Sequence, residues 1–287
     1  MKANINLALQ FTKFLAPAKL NLFLKIRDKR LDGYHNLQSV FQFINLYDEI
    51  FIKIRNDNKI IIKNSNPLIP KENDIVYRAC ELLLNQIPIG VDIKIKKNIP
   101  VGAGLGGGSS DAATTLMAIN KICHLGLSKK KLMQLGAKLG ADVPFFIFGE
   151  NAWAEGVGDQ LYPISIPEFN YVVAVPNIAI STSSIFTSFK LTKNVNPLKI
   201  ASSFDLKKHE FIDNDLENLV MKKFLSVSLL MDWMKSFGYA KMSGTGSSIF
   251  LRPKSNIQSQ EIKRLKPENT EIYAVKGLSV HPFYLTD

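Results

Sequence analysis

Several stretches of the chain alternate apolar and polar residues, which is the pattern of β-strands with one buried face. Residues 91–96 alternate Val and Ile with Asp and Lys. Residues 18–26 place aliphatic side chains on one face, while Lys19 and Asn21 lie two residues apart on the other. The pattern therefore predicts two polar groups that point the same way near the start of one strand.

Turn residues separate further predicted strands. Residues 32–35 predict a turn, and a strand at 38–44 is followed by a hairpin in which Ile50, Ile52 and Ile54 alternate before Asn56-Asp57-Asn58. Residues 153–162 predict a pair of strands joined by a turn, and 171–175 predict a buried strand.

Apolar residues that recur every three or four positions predict helices. Ser109 and Ser110 occupy the positions of N-cap residues for one helix, and Ser128 for another that Gly140 ends. The predicted helices cover 74–86, 111–123, 128–139 and 215–237. Residues 190–203 give no pattern that assigns a structure.

Composition narrows the class of protein. The 287 residues, 46% of them hydrophobic, are enough for one large domain or two modest ones. No apolar run reaches the length of a membrane span, and polar residues at 10–13 interrupt the stretch that imitates a signal peptide, so we expect a cytoplasmic protein. Cys80 and Cys123 lie in apolar helical patterns and predict buried thiols.

The net charge of +11 admits nucleic acid as a partner, but the lysines are dispersed and form no basic stripe. A polyanionic small substrate explains part of the excess equally well, and so does an ordinary lysine-rich surface. Charge alone does not separate these three explanations.

One segment is unusually rich in glycine: Pro100-Val101-Gly102-Ala103-Gly104-Leu105-Gly106-Gly107-Gly108-Ser109-Ser110. Glycine permits positive φ angles that turn successive N–H groups into one concavity, and a helix N-terminus attracts anions. Because a predicted strand precedes the segment and a predicted helix follows it, we interpret it as a phosphate-binding loop rather than a flexible linker.

Three well-known glycine loops do not fit. A Walker-type loop needs Lys and then Ser or Thr after its last glycine, whereas Gly108 is followed by two serines. Three of the glycines satisfy G-x-G-x-x-G, but a dinucleotide fold needs an acidic residue about twenty positions later, where this chain has Gly-Leu-Ser. A protein kinase would need a later H-R-D tripeptide, which is missing.

The segment does resemble the second motif of the superfamily that includes galactokinase, homoserine kinase, mevalonate kinase and phosphomevalonate kinase. The usual form of that motif is Pro-x-x-x-Gly-Leu-Gly-Ser-Ser-Ala. This chain inserts Gly107 and Gly108 and places Asp111 before the alanines. The lengthened form resembles one family in the superfamily, which acts in non-mevalonate isoprenoid biosynthesis on a methylerythritol linked to cytidine diphosphate.

Three other segments extend the resemblance over nearly the whole chain. Residues 16–22 with 32–35 resemble the first motif, 140–144 resemble the segment of the catalytic aspartate, and 242–250 resemble the third motif. Taken alone, residues 242–250 are better explained as an ordinary hairpin or bulge. All four segments occur in the order found in the family.

The resemblance implies an α+β fold, whereas periodicity by itself indicates only a mixture of helices and strands. An N-terminal domain over 1–165, similar to domain 2 of ribosomal protein S5, would bind ATP and carry the catalytic residues. A C-terminal ferredoxin-like domain over 166–287 would hold the substrate, with the active site in the cleft between the two domains.

Phosphoryl transfer requires a cradle for the phosphates, a cation and a group that orients the attacking hydroxyl. By resemblance, residues 100–110 would hold the phosphates of ATP and Lys19 would lie beside the hydroxyl. Asp142 would accept its proton or only align it. Taken alone, Lys19 is better explained as a solvated lysine at a strand end, and Asp142 as a helix N-cap.

Substrate recognition is also implied by the resemblance. Cytosine would stack between Tyr34 and Phe186, and His35 would contact its polar edge. Taken alone, the two aromatic residues are equally well explained by packing. The other substrate-binding residues that the resemblance implies are Asn21, Thr182, Gly244, Thr245 and Gly246.

The expected reaction is phosphorylation by ATP of the 2-hydroxyl of the methylerythritol unit. Mg²⁺ is expected with ATP because it neutralises the phosphates and needs few protein ligands. The expected partner is a small molecule with a cytidine diphosphate moiety, and neither nucleic acid nor a membrane. Two alternatives stay open: another kinase of the superfamily, of the homoserine or mevalonate type, and a nucleotide- or RNA-binding module without catalysis.

Overall fold

The computed structural model of the chain describes residues 10–63, 71–85, 87–191 and 214–285. Its two longest strands, β1 (Thr12–Lys29) and β2 (His35–Arg55), form an antiparallel pair. They are joined by the predicted turn, where Gly33 adopts a φ of +88°. The pairing register shifts at three points along β1, and the side chains of residues 16–24 are buried on both faces of the strand.

The predicted hairpin is wrong, because Ile50, Ile52 and Ile54 end the long strand β2 and the next strand, Ile60–Lys63, does not pair with β2. It pairs in parallel with the strand Gly90–Lys96 instead. Asp48, within β2, is fully buried and pairs with Ala16 of β1. Its Oδ1 atom accepts hydrogen bonds from the backbone N–H groups of Asn98, at 2.6 Å, and Ile99, at 2.9 Å. Tertiary hydrogen bonds therefore account for a carboxylate that is buried inside a strand.

The other helices and strands follow in the order β3 (Ile60–Lys63), α1 (Ile75–Leu84), β4 (Gly90–Lys96), α2 (Gly107–Ile122), α3 (Lys129–Ala137), α4 (Val143–Phe148), β5 (Ala152–Glu155), β6 (Gln160–Pro163), β7 (Asn170–Pro176), α5 (Thr182–Ser188), α6 (Glu217–Lys223), α7 (Leu225–Lys235), β8 (Ala240–Met242), β9 (Ile249–Leu251), α8 (Asn256–Arg264) and β10 (Thr270–Leu278). Two short 3₁₀ helices cover Lys71–Asn73 and Pro282–Leu285.

Most of the other predicted elements are confirmed, with changes to two of the helices. The helix expected over 111–123 begins earlier, at Gly107, so Ser109 and Ser110 lie inside α2 and do not cap it. The helical region 215–237 is divided at Phe224 into α6 and α7. Ser128 caps α3 as predicted, since its Oγ accepts a hydrogen bond from Lys131 N at 3.2 Å. Residues 192–203 of the unassigned stretch lie outside the described residues.

The strands form a mixed sheet in the order β3-β4-β2-β10-β7-β9-β8. Strand β2 also pairs with β1 and β5, and β6 pairs with β5. Among the described strands only β3 and β4 are parallel neighbours; the other pairs are antiparallel. The fold is therefore a mixture of helices and strands, as periodicity predicts.

Apolar side chains form three buried clusters. One packs α1 to α4 against β2 and β4, and a second packs α5 to α7 against β7, β8 and β9. The third joins β1 and the glycine-rich loop to strands of the C-terminal part, through side chains such as Leu20, Leu105 and Val173. The two cysteines are buried and free, as predicted. No described helix is long and apolar enough to cross a membrane.

His281, just after β10, is fully buried against Phe43. Its Nδ1 accepts a hydrogen bond from Phe283 N at 3.1 Å, so the proton of the neutral ring lies on Nε2, which faces Thr114 Oγ1 at 3.4 Å. Burial lowers the pKa of His281 to about 3. The folded chain therefore keeps this ring neutral at a pH where the unfolded chain protonates it.

We expect His281 to make the folded state less stable in acid. Because its folded pKa is below the usual 6.5, the cost is absent above pH 6.5 and grows as the pH falls from 6.5 towards 3. At pH 5.5 it amounts to about 1.4 kcal/mol of unfolding free energy.

Urea unfolding at pH 7.5 and 5.5 measures this. A His281→Gln variant should lose about 1.4 kcal/mol less than the wild-type chain between the two pH values. Equal losses would show that His281 does not titrate as its burial implies.

Candidate active site

A cavity of about 440 Å³ lies between the glycine-rich loop, β1, the start of α4 and the loop from β8 to β9. Among the residues predicted for the site, it is lined by Lys19, Asn21, residues 100–109, Asp142, Thr182, Phe186, Gly244 and Thr245. The cavity therefore collects residues from all four motifs. Tyr34, His35, Ser110 and Gly246 are predicted site residues that do not line it.

The glycine-rich loop has a backbone that only glycine adopts readily. Gly102, Gly104 and Gly106 have φ angles of +67°, +75° and +74°. A Cβ atom on Gly104 would lie 2.3 Å from the backbone oxygen of Ser243, and one on Gly106 would lie 2.8 Å from the ring of Phe146. The glycines are thus required both by backbone conformation and by the close approach of neighbouring elements.

Main-chain hydrogen bonds hold this loop to the elements around it. Ile180 N donates to Gly102 O at 2.9 Å, Ser248 N donates to Ala103 O at 3.0 Å, and Lys19 N donates to Leu105 O at 3.0 Å. The loop leads into the N-terminus of α2, where unpaired N–H groups and the helix dipole favour an anion. The arrangement suits a bound polyphosphate.

Lys19 is almost fully buried and lies in the middle of β1, not at a solvated strand end. Its Nζ donates a hydrogen bond to Asn21 Oδ1 and lies 3.5 Å from Asp142 Oδ2. The ammonium also lies 5.4 Å from the centre of the Phe41 ring, a distance at which a cation and an aromatic face attract each other.

Asp142 directly precedes α4, yet its side chain makes no capping hydrogen bond to that helix. The carboxylate is about one-third exposed, at 36%, and lines the cavity. Helix α4 fixes its position, because residues 143–147 of this helix are buried and Phe145 stacks on Phe43 with ring centres 4.4 Å apart. A cation and a carboxylate are thus held together beside the glycine-rich loop.

Asn21 is also buried and connects several elements. Its Nδ2 donates to Ser39 Oγ at 2.9 Å, and its backbone N donates to Ser243 Oγ at 3.1 Å. With Oδ1 accepting from Lys19, both ends of the amide are bonded, so its orientation is fixed.

Of the three predicted cytosine-binding residues, Phe186 lines the cavity, whereas Tyr34 and His35 do not. The ring of His35 is buried and stacks on Phe186, with ring centres 5.7 Å apart and planes 28° apart, while Tyr34 is 63% exposed. Burial and the nearby Lys29 lower the pKa of His35. Both ring nitrogens of His35 are buried, and neither has a hydrogen-bond partner among the described residues.

Thr182 and Thr245 meet across the cavity, with their hydroxyl oxygens 3.0 Å apart. Thr182 begins α5, whose N-cap Ser181 accepts a hydrogen bond from Ser184 N. The loop that carries Thr245 is held by Asn214, whose Nδ2 donates to Met242 O at 3.0 Å and to Gly244 O at 2.6 Å.

Sequence reasoning missed one charged cluster at the cavity wall. Lys97 lines the cavity, and its Nζ bonds to Asp111 Oδ2 at 2.6 Å and to Asp48 Oδ2. Burial and the neighbouring Asp48 raise the pKa of Asp111, although Lys97 opposes this. Lys97 and Asp111 lie on either side of the glycine-rich loop in the sequence, and this position could have identified them as candidates. Nothing in the sequence around Asp48 identifies it in the same way.

Comparisons with known proteins agree with one another. Residues 74–150 match the family of GHMP kinases N terminal domain. The chain is 42% identical over 274 residues to "4-diphosphocytidyl-2-C-methyl-D-erythritol kinase" of Janthinobacterium sp. (strain Marseille), covering 93% of this chain and 94% of that protein. It is 42% identical over 271 residues to the protein of the same name from Neisseria meningitidis serogroup B (strain ATCC BAA-335 / MC58), with 94% and 95% covered.

Solved structures are similar over nearly the whole chain. A crystal structure of 4-(cytidine 5'-diphospho)-2C-methyl-D-erythritol kinase has a TM-score of 0.79 and 29% identity, covering 93% of this chain and 99% of that one. Methanococcus jannaschii mevalonate kinase has a TM-score of 0.65 at 16% identity, with 94% and 99% covered. The second similarity indicates a shared fold only.

Proposed function

The chain belongs to the 4-diphosphocytidyl-2-C-methyl-D-erythritol kinase family, and from this premise we propose how its cavity performs the reaction of that family. The enzyme phosphorylates 4-diphosphocytidyl-2-C-methyl-D-erythritol with ATP, a step in the formation of isoprenoid precursors. The acceptor is the 2-hydroxyl of the methylerythritol unit, and the products are its 2-phosphate and ADP.

The observation that carries this proposal is the position of Lys19 and Asp142. Their charged groups are 3.5 Å apart at the wall of a cavity whose other wall is the glycine-rich loop. In-line phosphoryl transfer needs little covalent chemistry from the protein, and depends on positioning and on stabilising charge. A hydroxyl between the ammonium and the carboxylate would face a phosphate bound on residues 100–110.

Each group has a separate task. The carboxylate of Asp142 accepts a hydrogen bond from the attacking hydroxyl, orients it and takes its proton as the phosphoryl group arrives. The ammonium of Lys19 stabilises negative charge on the attacking oxygen and on the transferred group. Main-chain N–H groups of the loop and the N-terminus of α2 hold the remaining phosphate charge.

We propose Mg²⁺ as the ion that accompanies ATP. No group of three His, Cys, Asp or Glu side chains that could hold a metal occurs among the described residues. This suits Mg²⁺, which keeps several waters and is bound largely by the phosphates themselves. Ser110, whose buried Oγ has no partner among those residues, lies in the first turn of α2 next to the loop. When bound, the ion neutralises phosphate charge.

Recognition of the cytidine is assigned to His35, Tyr34 and Phe186. The ring nitrogens of His35 have no hydrogen-bond partner among the described residues, and they would bond the polar edge of cytosine once the side chains that bury them shift. The exposed ring of Tyr34 offers a flat apolar face. One face of the Phe186 ring stacks on His35, so only the other face of Phe186 can stack on the cytosine base. Asn21 and the loop at 244–246 would contact the methylerythritol diphosphate.

The division into domains is part of the proposal. An N-terminal ATP-binding domain over 1–165 contains the first apolar cluster, and a C-terminal substrate domain over 166–287 contains most of the second. The third cluster lies between them, and so does the cavity. The cytoplasmic location stays a prediction.

A coupled assay of ADP release tests the function. With 4-diphosphocytidyl-2-C-methyl-D-erythritol, homoserine and mevalonate offered separately, we expect turnover with the first alone. CDP should compete with the acceptor, because the pocket recognises cytidine. Turnover of homoserine or mevalonate without inhibition by CDP would assign another kinase activity, and a salt-sensitive RNA shift without ADP release would indicate a binding module.

A further inference from the structure

Ser243 lies where the donor and acceptor sides of the site meet. It follows β8 in the loop that leads to β9, and it is fully buried. Its Oγ accepts a hydrogen bond from Asn21 N on β1, at 3.1 Å, and donates one to Gly104 O in the glycine-rich loop, at 3.1 Å. One hydroxyl can make both bonds because it donates through its O–H and accepts through its oxygen lone pairs.

The two hydrogen-bond partners of Ser243 lie in parts of the site that have different roles in the reaction. Gly104 is part of the loop assigned to the phosphates of ATP, whereas Asn21 follows Lys19 closely on β1 and holds its ammonium through Oδ1. A shift of β1 relative to the loop would move Lys19 away from the transferred phosphate. The bond from Lys19 N to Leu105 O, at 3.0 Å, joins the same two elements, two residues earlier in β1 and one residue later in the loop.

We propose that Ser243 is a positioning residue that aligns the ATP-binding loop with the strand that carries Lys19. The inference rests on the proposed function, since it concerns the geometry of that reaction. Ser243 is expected to touch neither substrate, and it acts through Asn21 and Gly104.

Hydrogen bonds hold the backbone around Ser243 in place, so its hydroxyl cannot move with Asn21 away from Gly104, or with Gly104 away from Asn21. Ser243 N donates to Ser248 O, and Gly246 N donates to Ser243 O, both at 3.0 Å. Asn214 bonds the carbonyl groups on both sides, those of Met242 and Gly244. The Ser243 backbone oxygen also lies only 2.3 Å from the place a Cβ atom of Gly104 would take, so the two loops are in close contact.

The expected signature is a loss of kcat with little change in KM. Each subsite stays intact in Ser243→Ala, so KM for ATP and for the acceptor should stay within about twofold. The alignment between the subsites is impaired, and we expect kcat to fall about tenfold, since small misplacements of reacting groups have large effects on rate. Ser243→Thr keeps a hydroxyl and should recover most of the rate.

Ser248 offers a matched control in the same loop. It is fully buried, like Ser243, but its hydroxyl has no hydrogen-bond partner among the described residues. Ser248→Ala should therefore leave kcat and both KM values unchanged. If the Ser243→Ala chain does not fold, Ser243→Cys replaces it, because a thiol has nearly the same size and is a much weaker hydrogen-bonding group. Its kcat should fall at least about threefold.

The outcomes separate the inference from the function it rests on. If the wild-type chain does not turn over the acceptor, the proposed function fails. If the wild-type chain is active and kcat is unchanged in Ser243→Ala, or in Ser243→Cys where the alanine variant does not fold, the inference alone is overturned. It is also overturned if Ser248→Ala loses as much kcat as Ser243→Ala, or if Ser243→Ala raises KM and leaves kcat unaltered.

Discussion

Asp142→Asn should bind ATP almost as tightly as the wild-type chain and turn over about 10²–10⁴-fold more slowly. The amide has nearly the shape of the carboxylate, but it cannot accept a proton and carries no charge to pair with Lys19 Nζ at 3.5 Å. The phosphate cradle consists of main-chain groups of the glycine-rich loop, so nucleotide binding should survive. ADP release gives kcat, and calorimetric titration with a nonhydrolysable ATP analogue gives the affinity.

Asp232, an exposed residue of α7, provides the control for this substitution. Asp232→Asn removes the same charge away from the cavity and should leave kcat and ATP affinity unchanged. Unchanged turnover in Asp142→Asn would remove Asp142 from the mechanism. A loss of ATP binding as large as the loss of turnover would mean that Asp142 shapes the nucleotide site instead.

Gly104→Ala is expected to lower kcat/KM for ATP by about 10²-fold or more. The φ of Gly104 is +75°, and the added Cβ would lie 2.3 Å from Ser243 O, a backbone atom that cannot rotate away. Either the glycine-rich loop or the loop after β8 must move, and both line the cavity. Steady-state kinetics with ATP as the varied substrate measures the effect.

Gly126→Ala separates the two causes of that loss. Gly126 also has a positive φ, of +68°, but a Cβ there would meet nothing within 4 Å. It lies between α2 and α3, away from the cavity lining. We expect it to lower the unfolding free energy by about 1–2 kcal/mol and to leave kcat/KM unchanged. Kinetic losses of equal size in the two variants would show that backbone strain, and not the close contact, is the cause.

The sequence predicted the glycine-rich loop because its signal is local: glycines are dense, and a strand and a helix adjoin them. It misplaced the start of α2 for a local reason as well. Ser109 and Ser110 have the composition of N-cap residues, but Gly106 ends the loop in a left-handed conformation, and its carbonyl already accepts the bond from Ser110 N at 2.9 Å. Gly106, and not the two serines, therefore sets the boundary between the loop and α2.

Features that depend on distant parts of the chain could not be predicted. The hairpin expected at 50–58 was wrong because β3 pairs with β4, which lies beyond α1 in the chain, and not with the adjacent β2. Asp48 likewise finds its partners about fifty residues away, at Lys97, Asn98 and Ile99. The cluster of Asp48, Lys97 and Asp111 could not be predicted for the same reason, because Asp48 lies far from the other two residues in the sequence. The site residues were named only through the resemblance of four motifs, because nothing in the periodicity of 18–26 and 140–144 indicates that Lys19 and Asp142 meet.

Strand β10 has a mechanical consequence for substrate exchange. It pairs with β7 along Thr270–Lys276 and then with β2 at Gly277 and Leu278, so main-chain hydrogen bonds cross from the C-terminal part of the chain to the N-terminal part. A wide hinge opening would have to break those bonds and expose the apolar cluster beside them. Nucleotide and acceptor are therefore expected to enter and leave by small displacements at the cavity rim, with the frame around it staying closed throughout the catalytic cycle.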